Sequence, residues 1–552
     1  MIEQVIISLS FSVLISVFAV FCSLKTVHIL QLSSYKSKGI FDWLKRTKFN
    51  FAFRYFSLAF FSFACAAIFC FSFSQDFNFL RYFGLIFFVA LSSFFIVLNK
   101  KQKSKVPLKI TNRVLRLLIV LFFVCFAFSF LLVFLPFKTT LSYSLAVLTP
   151  LFIPLLVAFS NIIAIPIETL VSLFHKSKAG KKLAKSPNLI KIGISGSFGK
   201  TTTKNILDTL LSTSKRVLKS PKSFNTPMGL ALTINQNDLS EFDIFIAELG
   251  AKKSGEITSL CDFIKPNHGI VTATGCQHLE TFLSLETAIK TEFDLSGKVD
   301  GYLCLNLDDK NVLDLCILQQ NLINKKDKNQ LLFAGEKSNF DQLISDNKYD
   351  CIFKDNPNIL LYSNLKIDEN GTSFDIKIGG QTKKIKTVLM GRHIGQVFCQ
   401  AAILAINLGI SLEQIEQAAP LIMPVPHRLQ LIKTANGIVL DDAYNSNPIG
   451  AKNALEVLNV FDKTKVVISP GFVELGAIED EENFKLGIEI SKAADFLIVV
   501  KTQTIADGAK SNQMGDDKIF VVQSLTEAIE VLKSLNLINS AVLFLNDLPD
   551  NY

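Results

Sequence analysis

Leu189-Ile-Lys-Ile-Gly-Ile-Ser195, running into Gly196-Ser-Phe-Gly-Lys-Thr-Thr-Thr203, is the segment from which the architecture can be worked out. The apolar run Leu189–Ile194 predicts a short buried strand, the glycines a tight loop, and Lys204–Leu211 a helix. Strand, glycine loop and helix together suit a phosphate group. Glycines let backbone N–H groups approach it, the helix N-terminus adds partial positive charge, and Lys200 with a Thr hydroxyl can reach the terminal phosphates and Mg2+. The commonest phosphate loop has Gly six residues before its lysine, where this chain has Ile194; Gly196, four residues before Lys200, fits a tighter loop. The candidate ATP contacts are therefore Gly196, Ser197, Gly199, Lys200, Thr201 and Thr202.

Upstream, the chain changes character. Of 552 residues 49% are hydrophobic, too many for an ordinary soluble enzyme. The net charge of +9 divides unevenly, with 21 Lys and Arg against 4 Asp and Glu in residues 1–186, and 36 against 44 in residues 187–552. A nucleic-acid binder would carry its basic excess on the folded soluble part, which is acidic here, so nucleic acid is set aside as a partner. The ten cysteines form no C-x-x-C pair and no His/Cys spacing suited to zinc; they read as reduced, mostly buried thiols.

Apolar runs near 5–24, 55–73, 82–98, 117–137 and within 142–173 approach the length of about 20 residues that crosses a bilayer, which predicts about five membrane helices in residues 1–174. No Lys or Arg precedes the first run, so it reads as a retained helix. Lys and Arg crowd loops 25–50 and 99–114 and are scarce in 74–80 and 138–141, which puts the N-terminus outside and residues after 174 in the cytoplasm. Residues 175–186 form a basic linker suited to the anionic headgroups of a lipid bilayer. Pro150, Pro154 and Pro166 leave open whether 142–173 makes one span or two. Only Glu168, near an end, places a charge in the first, fourth or fifth run, so the region reads as an anchor in the cytoplasmic membrane.

Downstream come Phe224-Asn-Thr-Pro-Met-Gly-Leu230, Ile246-Ala-Glu-Leu-Gly250, Pro266-Asn-His268 continuing to Glu280, and Asn306-Leu-Asp-Asp309. Gly391-Arg-His393, Pro426-His-Arg-Leu429, Asp441-Asp-Ala-Tyr-Asn-Ser-Asn-Pro448 and Pro470-Gly-Phe-Val-Glu-Leu-Gly476 follow. Each motif is weak alone. Together and in this order they resemble the Mur ligase family, ATP-dependent enzymes that join an amino acid or peptide to a carboxylate, in the type that adds D-alanyl-D-alanine to a muramyl tripeptide.

The resemblance covers residues 187–552 and implies roles for particular residues. Thr201, Glu248 and His278 would hold Mg2+, and His268 would be structural. Lys200, His278 and Arg428 would be catalytic, with Arg428 on the nucleotide phosphates and Asp442 on its ribose. Asn225 and Thr226 would lie on the substrate side, and Tyr444, Asn445 and Asn447 on the active-site face of the last domain. The implied reaction activates the tripeptide carboxylate of UDP-N-acetylmuramoyl-tripeptide with the ATP γ-phosphate, then joins it to D-alanyl-D-alanine.

Three departures from the family pattern stand out. The family's carbamylated metal-binding lysine, fourteen residues after the histidine, corresponds to Glu292; either Glu292 supplies the carboxylate directly or a register shift makes Lys290 the modified residue. Ile394 and Val397 replace asparagines after His393. A membrane region also stands where the family has a UDP-binding domain, leaving room for a lipid-linked or other carboxylate substrate and for association with other cell-wall enzymes. A nucleotide-gated membrane protein is the reading from another class.

The expected fold is a multi-helix membrane region followed by two α/β domains. Residues 187–423 would form a P-loop ATPase-like domain with a mostly parallel sheet, and residues 424–552 a smaller Rossmann-like domain. Strands are expected at Phe242–Ala247, Gly269–Thr272, Gly301–Asn306, Ile438–Leu440, Lys465–Ser469, Phe496–Val500, Lys518–Val522 and Ala541–Leu545, and helices at Ala451–Phe461 and Thr526–Leu535.

Overall fold

A computed structural model describes residues 2–46, 107–133, 145–146, 149–275, 282, 284–319, 328–345, 347–354, 356–444, 447–473, 475 and 478–547. It comprises two compact units, the first ending at Leu173 and the second running from Phe174 to Asp547.

Among the described residues the helices Ser8–Leu32 and Asn112–Val133, in the first unit, and Ile153–Ala184, which starts there and ends in the second, are long and apolar enough to cross a membrane, by length and composition. The expected spans at 55–73 and 82–98 lie outside the described residues. Helix Ile153–Ala184 runs unbroken through Pro166, so its part of the 142–173 stretch is a single rod. Ala19, Val27 and Leu30 pack with Leu117, Leu121, Cys125 and Val157 in one apolar cluster. Glu168 is not an isolated charge, because Arg116 donates to both its oxygens at 2.6 and 2.8 Å. The basic loop after the first helix folds into a short amphipathic helix, Lys38–Arg46, whose Trp43 is buried against Ile29. Asn161 ties this segment down by donating to the Tyr35 carbonyl and to Ser37 Oγ, both at 3.0 Å.

The second unit contains two sheets. The larger has nine strands: β1 (Ile190–Ser195), β2 (Val217–Lys219), β3 (Ile244–Glu248), β4 (His268–Val271), β5 (Leu303–Asn306), β6 (Leu331–Glu336), β7 (Ile359–Asp368), β8 (Gly371–Ile378) and β9 (Gln381–Thr387). Their order is β2-β3-β1-β4-β5-β6-β7-β8-β9, parallel from β2 to β7 and antiparallel thereafter. Alternation along each strand feeds two cores. Ile244 and Ile246 of β3 join the cluster beneath helices Lys200–Leu211 and His393–Asn407, while Phe245 and Ala247 join the opposite one with helices Pro227–Gln236 and Glu256–Ile264. Ala179 and Leu183, from the last turns of helix Ile153–Ala184, belong to that second core.

The smaller sheet contains β10 (Gln430–Thr434), β11 (Gly437–Asp442), β12 (Thr464–Ser469), β13 (Phe496–Val500), β14 (Ile519–Val522) and β15 (Ser540–Leu545), ordered β10-β11-β15-β12-β13-β14. All its pairings are parallel except β10–β11. Every expected strand is present within two residues at each end. The sequence reading left out β2, β6, β10 and the antiparallel run β7–β9, although Gly379 and Gly380, at φ 55° and 83°, supply the two-residue turn that a tight hairpin between β8 and β9 requires.

Because β1 is the first strand and lies inside the sheet, the chain leaves it for β2 and β3 on one side and for β4 on the other. The carboxyl ends of β1 and β4 therefore flank a switch point, the place where open α/β sheets bind ligands.

Helices Glu479–Ala493 and Gln503–Ser511 approach through paired glycines, since a Cβ on Gly487 would lie 2.0 Å from the Ile505 carbonyl oxygen and one on Gly508 2.0 Å from that of Phe484. Backbone cannot move aside cheaply. Gly487→Ala and Gly508→Ala should each lower stability by about 1–3 kcal/mol, read from denaturant unfolding of the detergent-solubilised chain.

Candidate functional site

The phosphate loop occupies the switch point. β1 delivers Ser195, and the loop reverses through Gly196 and Gly199 at φ +130° and +82° into helix Lys200–Leu211. A Cβ on Gly196 would sit 2.1 Å from Thr272 Oγ1, so the first glycine is required by space as well as by conformation. The loop is clamped from the end of β4: the Ser197 and Phe198 N–H groups donate to the Ala273 carbonyl at 2.8 and 3.1 Å, and the Gly275 N–H to Ser197 Oγ at 3.1 Å. The Thr272 hydroxyl donates to the Phe198 carbonyl at 2.6 Å. Asp309, in the Asn306–Asp309 turn, fixes that clamp in its turn, accepting from the Thr274 N–H and hydroxyl at 2.6 and 2.8 Å.

Lys200 folds over the loop, donating to the Gly196 carbonyl and, at 3.4 Å, to that of Ser197. Thr201 is buried and Thr202 half-buried on the first turn of the helix. Glu248, at the end of β3, is buried and fully engaged. Its Oε1 accepts from Thr201 Oγ1 at 3.1 Å and Asn225 Nδ2 at 3.3 Å, and its Oε2 from Lys204 Nζ at 2.8 Å. The ends of an octahedron edge at a Mg2+–oxygen distance of 2.0–2.1 Å are about 2.9 Å apart, so Thr201 Oγ1 and Glu248 Oε1 are spaced to serve as neighbouring ligands of such an ion. Among the described residues no three His, Cys, Asp or Glu side chains cluster into a metal cage.

The two candidates for the family's modified lysine occupy different places. Glu292 is buried, its Oε2 accepting from the Gly196 N–H at 2.8 Å and its carbonyl from Ser195 Oγ at 2.7 Å. Lys290 is on the exposed side of helix Leu285–Phe293, paired with Glu286 at 2.6 Å. His278 and Asn445 lie outside the described residues. His268 has a structural part, as its Nδ1 accepts from the Tyr302 N–H at 2.9 Å. Ile394 and Val397 are buried, and Val397 packs against the loop at Gly199.

From the second sheet comes a loop with His427 and Leu429 in left-handed backbone, at φ 62° and 47°, on either side of Arg428. Non-glycine residues in this region carry strain, which tends to gather at functional sites. Arg428 stacks on Tyr444, with 4.4 Å from guanidinium carbon to ring centroid, and Tyr444 OH lies 2.8 Å from Ser223 Oγ beside the Phe224–Leu230 segment. Asp442 accepts from the Leu429 N–H at 3.0 Å. Burial pushes its carboxyl up to about 7, against the pull of that N–H and of Arg428. His427 pairs with Asp441 at 2.8 Å. Burial, helped by Arg428, lowers His393 to about 4, so it is neutral at pH 7.

Thr226 and Asn447 spend their side-chain oxygens as helix caps, accepting from the Gly229 and Gly450 N–H groups at 3.3 and 3.0 Å. Lys204, Thr272 and Ser223 were missed by sequence reasoning. A lysine on the buried face of a helix, three residues after Thr201, is the signal that could have found Lys204.

Glu292→Ala should weaken ADP binding by about tenfold or more by freeing the loop, whereas Lys290→Ala should change it less than about twofold, both measured by calorimetric titration. For Asp442, the folded value near 7 stands above an unfolded value of about 3.9. The folded state therefore holds the extra proton between these values and loses stability as pH rises through them. The melting temperature of Asp442→Asn should gain on the parent as pH rises from about 4 to about 7, with the gap constant above that.

Comparison with known proteins places the chain. Residues 194–405 match the Mur ligase middle domain, and residues 427–545 the Mur ligase glutamate ligase domain. The UDP-N-acetylmuramoyl-tripeptide--D-alanyl-D-alanine ligase of Mycobacterium leprae is 28% identical over 272 residues, 48% of this chain and 50% of that protein. Its Escherichia coli K12 counterpart is 26% identical over 306 residues, 55% of this chain and 62% of that protein. The chain thus spans half to three-fifths of the length of these relatives. MurF from Acinetobacter baumannii has a similar fold, with TM-score 0.57 and 20% identity over 68% of this chain and 77% of that one. So does MurF from Thermotoga maritima in complex with ADP, at 0.55 and 22% over 68% and 80%. With two domains matched in order, the first carrying the phosphate loop and the second the Arg428 loop, the chain belongs to the Mur ligase family.

Proposed function

We propose that the chain is an ATP-dependent amide ligase of peptidoglycan precursor synthesis, adding D-alanyl-D-alanine to UDP-N-acetylmuramoyl-tripeptide, with its catalytic unit on the cytoplasmic side of the membrane. The observation that carries this reading is the phosphate loop at the switch point, with Thr201 and Glu248 spaced for a hard cation beside Lys200. The names of the M. leprae and E. coli relatives support the choice of substrates.

In this reading Lys200 swings from its own loop carbonyls to the ATP phosphates and offsets charge on the transferred phosphoryl group. Mg2+, held by Thr201 and Glu248, would supply further neutralisation of the phosphate oxygens. Glu292 contributes by keeping the Gly196 end of the loop in place. The tripeptide carboxylate attacks the γ-phosphorus, ADP leaves, and the amine of D-alanyl-D-alanine then displaces phosphate from the acyl phosphate, giving the amide. Arg428 and Tyr444 stand opposite the Ser223–Thr226 segment, where closure of the second sheet's domain would exclude water from a hydrolysable acyl phosphate. The separate ranges of the larger sheet, 190–387, and the smaller, 430–545, support domain limits of 187–423 and 424–552. A lipid-linked muramyl peptide is the second reading, favoured by three helices long and apolar enough to cross a membrane.

Phosphate release by the detergent-purified chain with ATP and Mg2+ should require both UDP-muramyl-tripeptide and D-alanyl-D-alanine and yield an amide product by mass spectrometry. Lys200→Ala should reduce the rate by about a hundredfold or more while leaving the melting temperature within a few degrees. Release without either substrate, or only with a lipid-linked acceptor, would overturn the first reading.

A further inference from the structure

Lys204 lies one turn beyond Lys200 on the helix that starts at the phosphate loop, and its side chain is 1% exposed. A buried ammonium is costly unless it is paired, and burial pulls this one below the ordinary lysine value against the opposing attraction of Glu248. Two contacts satisfy it. One is Glu248 Oε2 at 2.8 Å; the other is the carbonyl of Lys222.

Both partners matter to the same place. By taking Oε2, Lys204 leaves Oε1 turned toward Thr201 Oγ1 and Asn225, the oxygen that is spaced for a cation. Lys222 is in left-handed backbone at φ 47°, a strained state for a non-glycine residue, and the bond from Lys204 fixes its carbonyl there. The chain that follows carries Ser223, on Tyr444, and Asn225, on Glu248. A lysine serving only to balance charge would need no second bond to the turn that carries Asn225.

We propose that Lys204 is a positioning residue of the cation site, holding Glu248 and the Lys222–Asn225 segment so that Glu248 Oε1 and Thr201 Oγ1 face a common Mg2+. The inference rests on the nucleotide and Mg2+ reading of this site, and nothing in the family resemblance assigned a role to this residue. It acts through Glu248, not on the reacting atoms.

The test is ADP binding to the full-length chain in detergent, followed by calorimetry while Mg2+ is titrated. If the parent shows no Mg2+-dependent ADP binding, the nucleotide reading itself falls. Given that dependence, Lys204→Met should raise the half-saturating Mg2+ concentration by about tenfold or more, the usual loss when a partner of a metal ligand is removed, with ADP affinity in the absence of Mg2+ changed less than about twofold. Lys204→Arg, which keeps charge and donors, should recover most of the loss. In a Glu248→Gln background, Lys204→Met should add less than about a threefold further shift, because the two act as one unit. An unchanged or lowered Mg2+ requirement in Lys204→Met, or a full additional shift in the Glu248→Gln background, would overturn the proposal. Should Lys204→Met fail to fold with Glu248 left unpaired, the comparison of Glu248→Gln with the uncharged double variant decides the matter in the same way.

Discussion

One buried carboxylate organises the second unit. Glu248 ends the strand beside the phosphate-loop strand β1, and its two oxygens bind the phosphate-loop helix through Thr201 and Lys204 and the β2–β3 crossover through Asn225. Removing either partner of such a buried pair costs about 3–5 kcal/mol, because the other charge is left without compensation. Sheet, loop and crossover therefore cannot shift independently. On the far side of the loop a second buried carboxylate, Glu292, receives the Gly196 N–H, so the glycine turn is held between two acidic groups from different parts of the chain.

These anchors use sites in two distinct ways. On its open side the loop carries Lys200, which donates to the Gly196 and Ser197 carbonyls. Away from it, apolar Val397 supports Gly199, where the expected family pattern has a polar residue. The substitution has a packing rationale: a side chain under the loop here fills space. Burial likewise keeps His393 neutral, so beside Arg428 it contributes no second positive charge at neutral pH.

Much of this was legible from local signals. The strand and glycine loop at Leu189–Lys200 are read from periodicity and from spacing to Lys200, and the terminal strands from short apolar runs between turns. Glu248 at a strand end and Asp309 in an Asn-Leu-Asp-Asp turn are recognisable as motif members, but their partners are not. Glu292 and Gly196 are 96 positions apart, and no local pattern announces their bond. The strands β7 to β9 escaped because their polar, lysine-rich alternation, as in Gln381–Thr387, reads as surface loop until it is paired. Lys204 was hidden by composition, since one lysine among the threonines of a helix start looks solvated. Thr226 and Asn447 carry a local role that the motifs did not announce, since their side-chain oxygens cap helix ends.

The end of helix Ile153–Ala184 bears on where the second unit begins. Recognisable family sequence starts at residue 194, yet the compact unit starts at Phe174. The intervening turns are part of it: Ala179 and Leu183 are buried in its core, Lys182 donates to the carbonyls of Ile234 and Asn237, and the His175 carbonyl accepts from Asn235 at 2.9 Å. Homology and folding unit thus have different borders. A chain trimmed to the border drawn by homology would bare an apolar groove and strip hydrogen bonds from the helix that Thr226 caps. Residues 175–186, which look like a tether in sequence, are structurally a component of the second unit's own interior.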